Sequence, residues 1–322
     1  MIFCDQVLLF LIYLCLIIES YKYLFLNPVY FDPLSRKQRK KMNGTRISPK
    51  LYIWKNSRLY IGTSHIPFRK YTLAWSQLLV SIHGKMRIQL ENGTEIATRS
   101  CLIKAGSVVN EAHINTSNAV IAIYYFNPIS QDFLILQNQM NNASKGIYYK
   151  HPTEDHLVQQ LRHIFKESFS ANQTYQLCQE AIVQPHLHQT IIKTFDPRII
   201  ETLQNIRKNF SDSISVSDYA ADVHLSESRL NKLFKDQIGV PITKYRLQLR
   251  LSVGIIRLAA GQTVTEAAYG AGFSSSAHFS TCFSDMIGIQ PSTTFLRLPY
   301  MNAIISDDVL KAVLPATLCT SS

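Results

Sequence analysis

Residues 263–288 contain two short apolar patterns with a glycine between them, and this stretch constrains the fold more than any other. Apolar residues recur at helical spacing up to Gly272, where a chain turning out of a helix needs a positive φ angle. Serines at 274–276 can cap a second helix, whose apolar face carries Phe279 and Phe283. The stretch therefore predicts a helix-turn-helix, in which the second helix is built to enter a DNA groove.

The same plan recurs earlier in the chain, over residues 216–238. His224 occupies the turn position, and histidine adopts a positive φ more readily than most residues. Ser226 is placed to cap the second helix of this repeat. Between the two repeats, Pro241 is typical of a helix start and Gly261 of a helix end, which predicts one linking helix.

We call residues 216–238 the first unit and residues 264–287 the second unit. The second helix of the first unit and the linking helix are rich in positive charge, which suits a phosphate backbone. Only the acids Glu227 and Asp236 offset a basic set made of Arg229, Lys232, Lys235, Lys244, Arg246, Arg250 and Arg257.

This tandem resembles the AraC/XylS family of bacterial transcription regulators over roughly residues 197–298. The residues that carry the resemblance are Ala220, Ser226, Leu230, Phe234, Gly239, Pro241, Arg250, Ala268, Gly272, Phe273, Phe279, Phe283, Gly288 and Pro291. The resemblance implies a DNA-binding domain over 196–300 that acts in a transcription regulator, by our expectation an activator. Its implied partners are double-stranded DNA and RNA polymerase, and two recognition helices would address adjacent major grooves, about 34 Å apart.

The resemblance also places the side chains that contact DNA. In the first unit these are Ser228, Arg229, Asn231 and Lys232 at base edges, with Lys235 at a phosphate. In the second unit the corresponding residues are Ser276, Ala277, Ser280 and Thr281. These are short and uncharged, where family members carry Gln and Arg, so we expect backbone and methyl contacts there and little base specificity.

The linking helix departs from the family as well. Apolar residues at 253–256 stand where charged residues are usual, and this surface can meet the sensory domain or a partner. Glycine inside a helix costs about 0.5–1 kcal/mol relative to alanine, so Gly254 predicts close packing.

A net charge of +11 favours an anionic partner. The six cysteines are scattered without metal-ligand spacing, which fits reduced thiols and predicts a cytoplasmic protein. Cys282 lies on the apolar face of the last recognition helix, which predicts a packing role.

Residues 1–41 differ in composition from the rest of the chain. The apolar run 7–18 ends at Glu19 and lacks the flanking residues of a signal peptide. It is also shorter than the ~20 apolar residues of a membrane helix. We favour a true start at Met42, and the alternative is a membrane-tethered DNA-binding sensor.

Residues 42–128 form short runs rich in β-branched and aromatic residues, with a hairpin signal at Asn92-Gly93. They predict a barrel or sandwich and loosely resemble the cupin-like sensory barrels that precede AraC-type domains. The resemblance implies a small-molecule effector, and Trp54 and Trp75 can line its pocket or belong to the core. A barrel enzyme is the less favoured alternative. His65, His83 and His113 have no metal-ligand spacing, so we expect no metal, no cofactor and no enzymatic activity.

Residues 129–195 predict amphipathic helices that either pack on the barrel or pair with a second copy in a homodimer. Asp196-Pro197 predicts the start of the first helix of the DNA-binding domain. Residues 301–322 predict an irregular or partly helical tail. The expected fold class is α+β: a cupin-like barrel with helices, followed by an all-α tandem helix-turn-helix domain.

Overall fold

A computed structural model describes residues 49–63, 71–72, 74–109, 114–116, 119–144, 146–183, 194–287, 291 and 302–314. These residues all belong to one compact body, Ile47–Ser322. The N-terminal strands are β1 (Lys50–Ile53), β2 (Arg58–Thr63), β3 (Tyr71–Thr72), β4 (Gln77–His83), β5 (Met86–Gln89), β6 (Glu95–Thr98), β7 (Ser100–Ile103), β8 (Val108–Val109), β9 (Ile114–Asn115), β10 (Val120–Tyr125), β11 (Asn141–Ser144) and β12 (Ile147–Tyr149).

The main sheet has apolar residues on both of its faces. Its strand order is β11-β12-β7-β4-β10-β2-β1, and a second sheet has the order β6-β5-β9. Successive side chains of a strand point to opposite faces. In β4, Leu78 therefore packs in a helix-covered core, whereas Leu79 packs in a core shared with Met86 and Ile88 of the second sheet. The expected sheet domain is confirmed, with one core between its sheets and another beneath helices.

Local turn chemistry accounts for the predicted hairpin. Gly93 has a φ of 82°, and β5 pairs antiparallel with β6 across it. This confirms the hairpin predicted from Asn92-Gly93.

Helix α1 (Asp132–Gln139) lies between β10 and β11, and helices α2 (Glu154–Lys166) and α3 (Ala171–Ile182) follow β12. The buried faces of α2 and α3 pack on the main sheet, in the same core as Tyr52 and Trp54. Lys50 of β1 is buried and donates a hydrogen bond to the Ile164 carbonyl of α2 at 3.1 Å. The sequence predicts a helical segment over residues 129–195, and this is wrong at 141–144 and 147–149, which form β11 and β12 and extend the main sheet beside β7.

The C-terminal half is helical, with elements α4 (Pro197–Lys208), α5 (Val216–Asp222), α6 (Glu227–Ile238), α7 (Ile242–Ala259), α8 (Val264–Gly270) and α9 (Ser276–Ile287). Asp196 caps α4 through the Arg198 N–H, and Pro197 takes its first position, as predicted. The α+β fold class is thereby confirmed.

The end of the chain returns to the sheet domain. Residues Asn302–Ile305 form β13, which pairs in parallel with β1, and Asp307–Val313 form α10. The helix agrees with the expected partly helical tail, but the strand was not predicted. Ile256 of α7 packs between Ile53 of β1 and Val309 of α10, so the apolar surface predicted on the linking helix does meet the sheet domain.

None of the helices in the described residues combines the length and apolarity needed to cross a bilayer. Residues 1–41 and Met42 lie outside the described residues, so the two interpretations of that segment stay predictions.

Candidate nucleic-acid interface

The turn of the first unit adopts the backbone conformation that its sequence predicted. His224 has a φ of 54°, although it is not a glycine. Its N–H donates to the Ala221 carbonyl at 3.1 Å, and the Leu225 N–H donates to the Ala220 carbonyl at 2.9 Å. These two bonds close the turn between α5 and α6.

Helix α6 begins at a capped end and buries one face. The Ser226 hydroxyl accepts a hydrogen bond from the Arg229 N–H at 3.4 Å, which confirms the predicted cap. Leu230, Phe234 and Ile238 are buried in the core of the first unit. The opposite face holds the predicted DNA-contacting residues of the first unit: Ser228, Arg229, Lys232 and Lys235 are exposed, and Asn231 is half-buried.

The second unit repeats this geometry with different surface chemistry. Gly272 has a φ of 80°, and Ser275 caps α9 by accepting from the His278 N–H at 3.2 Å. Phe279 and Phe283 fill the core beneath. On the outer face Ala277 and Thr281 are exposed, and Ser276 and Ser280 are half-buried. Helix α9 contains no lysine or arginine, and besides these small groups it exposes His278 and Asp285.

Helix α7 connects the two units and packs tightly against the second. A Cβ atom added to Gly254 would lie 2.8 Å from Cζ of Phe279, so only glycine fits without a shift. This confirms the close packing predicted at Gly254. Cys282 is half-buried against the same core, as expected of a packing residue.

The sheet domain contacts the first unit through aromatic and charged side chains that sequence reasoning missed. Trp75 packs in the same core as Phe234 and Tyr245. The Arg58 guanidinium lies 4.2 Å from the centre of the Trp75 ring, a cation–π distance. Loss of solvent lowers the pKa of Arg58 to about 10, and nearby Tyr245 and Tyr125 oppose this shift. Arg58 is therefore still charged at neutral pH.

Polar contacts join the sheet domain to α4 and α7, the helices on either side of the first unit. The buried Ala74 N–H donates to Oε1 of Gln248 on α7 at 2.7 Å. Nη2 of Arg207 on α4 donates to Oδ1 of Asn127 at 3.2 Å. These pairs are far apart in sequence, so no local pattern signals them.

A close backbone contact also belongs to this interface. A Cβ atom added to Gly239, the residue that ends α6, would lie 2.5 Å from the Ala105 carbonyl oxygen. The neighbouring Gly106 faces Gly239 in return. The loop after β7 thus rests directly on the end of the first recognition helix.

Trp54 and His151 are engaged in contacts within the sheet domain. Trp54 stacks on Tyr52, and its Nε1 donates to the Ala171 carbonyl at 2.7 Å, so it belongs to the helix-covered core. His151 is buried with Nε2 2.9 Å from the Ile182 carbonyl. Among the described residues no three metal-ligating side chains lie together. His65 and His113 lie outside the described residues.

Comparison with known proteins points to the same region. A family model described as "Helix-turn-helix domain" matches residues 219–297. The HTH-type transcriptional regulator GbdR of Pseudomonas aeruginosa is 28% identical over 102 residues, which cover 31% of this chain and 28% of that protein. The arabinose operon regulatory protein of Escherichia coli is 28% identical over 108 residues, which cover 33% and 37%. The match therefore spans well under half of either relative.

A solved structure, ToxT from Vibrio cholerae, is similar over more of the chain. The alignment covers 78% of this chain and 97% of that one, with 14% identity and a TM-score of 0.47.

Proposed function

We propose that this chain is a transcription regulator that binds specific double-stranded DNA through α6 and α9, since residues 219–297 match a helix-turn-helix domain model. The exposed face of α6 is the observation that carries this function. It presents Arg229, Asn231 and Lys232 from a helix whose start is capped and whose opposite face is locked in a core.

The chemistry of this face suits the edges of base pairs. Arginine and lysine donate to guanine O6 and N7, and asparagine pairs with adenine N6 and N7. We propose that Ser228, Arg229, Asn231 and Lys232 read bases in one major groove, while Lys235 binds a phosphate. Ser276, Ala277, Ser280 and Thr281 then make small-group contacts in the next groove.

The sheet domain supplies regulation in this proposal. It contacts the core of the first unit through Trp75, the end of α6 through the Gly239 backbone, and the linking helix α7 through the Ala74–Gln248 hydrogen bond. A small-molecule effector bound in the sheet domain can therefore shift the first unit without an intermediate partner. We further propose that the protein activates transcription through RNA polymerase, is cytoplasmic, forms a homodimer and has no enzymatic activity.

Selection of DNA from a random duplex library by the full-length protein tests the central claim. We expect the bound pool to share a motif with two adjacent half-sites one helical turn apart. Two variants sharpen the test. Asn231→Ala removes a proposed base contact and is expected to relax one position of the motif, whereas Lys235→Ala removes a proposed phosphate contact. Lys235→Ala is therefore expected to weaken all sequences about equally and to lower the salt dependence by about one ion.

Binding that depends on salt but yields no shared motif would contradict specific regulation, because phosphate contacts alone produce that behaviour. If Asn231→Ala selects the same motif as the parent protein, Asn231 does not read a base. The proposal that the protein is a specific regulator would still hold.

A further inference from the structure

The segment 209–214, which joins α4 to α5 and leads into the first unit, lies against the second unit. Phe210 packs on the core that contains Phe279 and Phe283 of α9. A Cβ atom added to Gly272 would lie 2.7 Å from Cα of Ser211 and 3.0 Å from its carbonyl oxygen. The turn of the second unit thus packs against the backbone of segment 209–214, which precedes the first unit.

Two arginines of α7 hold this segment through its carbonyl groups. Nε of Arg250 donates to the Phe210 carbonyl at 2.8 Å, and its Nη2 donates to the Asp212 carbonyl at 3.0 Å. Nη2 of Arg246 donates to the same Asp212 carbonyl at 2.8 Å, and its Nη1 donates to the Ile214 carbonyl. Hydrogen bonds from a charged donor are among the stronger ones in proteins.

Arg250 also reaches the second unit. A Cβ atom added to Gly272 would lie 3.2 Å from Nε of Arg250. The linking helix, the segment before the first unit and the turn of the second unit therefore meet around one side chain.

We propose that Arg250 is a positioning residue that fixes the angle and separation of the two recognition helices. A single helix joining two small units allows them to twist about its axis. Segment 209–214 adds a second connection, and Arg250, assisted by Arg246, keeps it in place. The structural part of this proposal is independent of DNA; its consequence for half-site spacing rests on the proposed function.

Arg250 donates to the two carbonyls through two different nitrogens, Nε and Nη2, which the planar guanidinium holds apart. Lysine keeps the charge but presents a single ammonium group and loses the planar fork. We call the hydrogen bonds from Arg250 to segment 209–214 the brace. Arg250→Lys therefore tests the brace while the positive charge is kept. Lys244→Gln is the matched control for charge, since it removes one positive side chain from the same helix.

Distances between the recognition helices test the brace without DNA. Spin labels are attached to the full-length protein through non-natural ketone side chains at the exposed positions 228 and 277, and pulsed electron resonance gives their separation. We expect one narrow distribution for the parent protein and for Lys244→Gln. We expect a broadened or shifted distribution for Arg250→Lys and Arg250→Gln. Circular dichroism verifies that the variants are folded, and Arg250→Lys alone decides the test if Arg250→Gln does not fold. A folded Arg250→Lys variant with the parent distribution would overturn the proposal.

The consequence for DNA is measured on the selected duplex and on the same duplex with half a helical turn inserted between its half-sites. The parent protein is expected to lose roughly tenfold or more in affinity on insertion, the scale of losing base contacts. Arg250→Lys is expected to lose clearly less. Equal losses for the two proteins would contradict the brace. If the parent protein selects no motif, the proposed function fails, while the spin-label distances still decide the brace.

Discussion

The two helix-turn-helix units share a framework and differ in what they expose. Each begins with a reciprocal cap, Ser215 with Asp218 in the first unit and Thr263 with Glu266 in the second. Each turns through a residue with positive φ. The outer face of α6 then carries arginine, asparagine and lysine, whereas that of α9 carries serine, alanine and threonine. The framework is set by caps, turns and buried faces, so exposed residues can diverge without changing the fold.

The units also differ in their neighbours. The core of the first unit includes Ala74 and Trp75 of the sheet domain. The core of the second unit is joined instead by Phe210 and by Val313 of the tail. The sheet domain therefore contributes residues to the core beneath the charged recognition helix, whereas the core of the second unit receives Phe210 and Val313.

Truncating the outer faces should show the largest difference between the units. Arg229→Ala is expected to weaken binding to the selected duplex by roughly 5- to 150-fold, the range of about 1–3 kcal/mol for a base-contacting arginine. Thr281→Ala should cost about tenfold at most, because a neutral hydrogen bond contributes about 0.5–1.5 kcal/mol. Fluorescence anisotropy at one salt concentration measures both. If Thr281→Ala loses as much DNA affinity as Arg229→Ala, the two recognition helices contribute equally and the proposed difference between them is wrong.

Breaking the hydrogen bond between Ala74 and Gln248 should destabilise the protein, and the first unit should be affected more than the second. Gln248→Leu leaves the buried Ala74 N–H without its acceptor, which costs about 1–3 kcal/mol. We expect urea unfolding to show this loss and amide exchange to rise in α6 before α9. The reverse order of exchange would mean that the sheet domain stabilises the second unit instead.

The two turns should respond differently to substitution. Gly272→Ala places a side chain at positive φ, which costs about 1–2 kcal/mol, and forces the turn away from Ser211. His224→Gly relaxes the same kind of turn but frees the unfolded chain, so its net effect should be within about 1 kcal/mol. Thermal unfolding of the pair measures the difference, and equal destabilisation would show that the turns are equivalent.

Acidification should produce the smallest difference in stability between the two units, because their caps are alike. Hydrogen bonds from Ser215 and Thr263 lower the pKa values of Asp218 and Glu266 below 3.8 and 4.5. A carboxyl group whose pKa is lower in the folded state than in the unfolded state stabilises the protein at pH values above its unfolded-state pKa. This stabilisation is lost as the pH falls through the folded-state pKa. Asp218→Asn and Glu266→Gln should each reduce the loss of stability between about pH 6 and about pH 3.

Urea midpoints at both pH values provide the measurement for the cap variants. A parent-like pH dependence in both variants would show that the caps contribute nothing in that range.

Local chemistry made much of the site predictable. The caps at Asp196 and Ser226, the turn at His224 and the hairpin at Asn92-Gly93 depend on residues within a few positions of each other. The same holds for the buried and exposed faces of α6 and α9, because helical spacing alone sorts them. The DNA contacts assigned to those exposed faces stay predictions.

Long-range pairing was not predictable in the same way. Strands β11 and β12 fall in a segment predicted to be helical, because runs of four and three residues carry little pattern of their own. Strand β13 forms because β1 offers a free sheet edge, and nothing in residues 302–305 indicates that partner.

The sequence by itself determined two helix-turn-helix units, their capped and apolar faces, and the unequal chemistry of their recognition helices. Tertiary structure alone decided that the loop at Gly106 meets the end of α6, that Trp75 joins the first core, and that Arg250 ties segment 209–214 to the second turn. The physical reason is distance along the chain. Side-chain periodicity and turn propensity act over a few residues, whereas these contacts join groups that only the packed fold brings together.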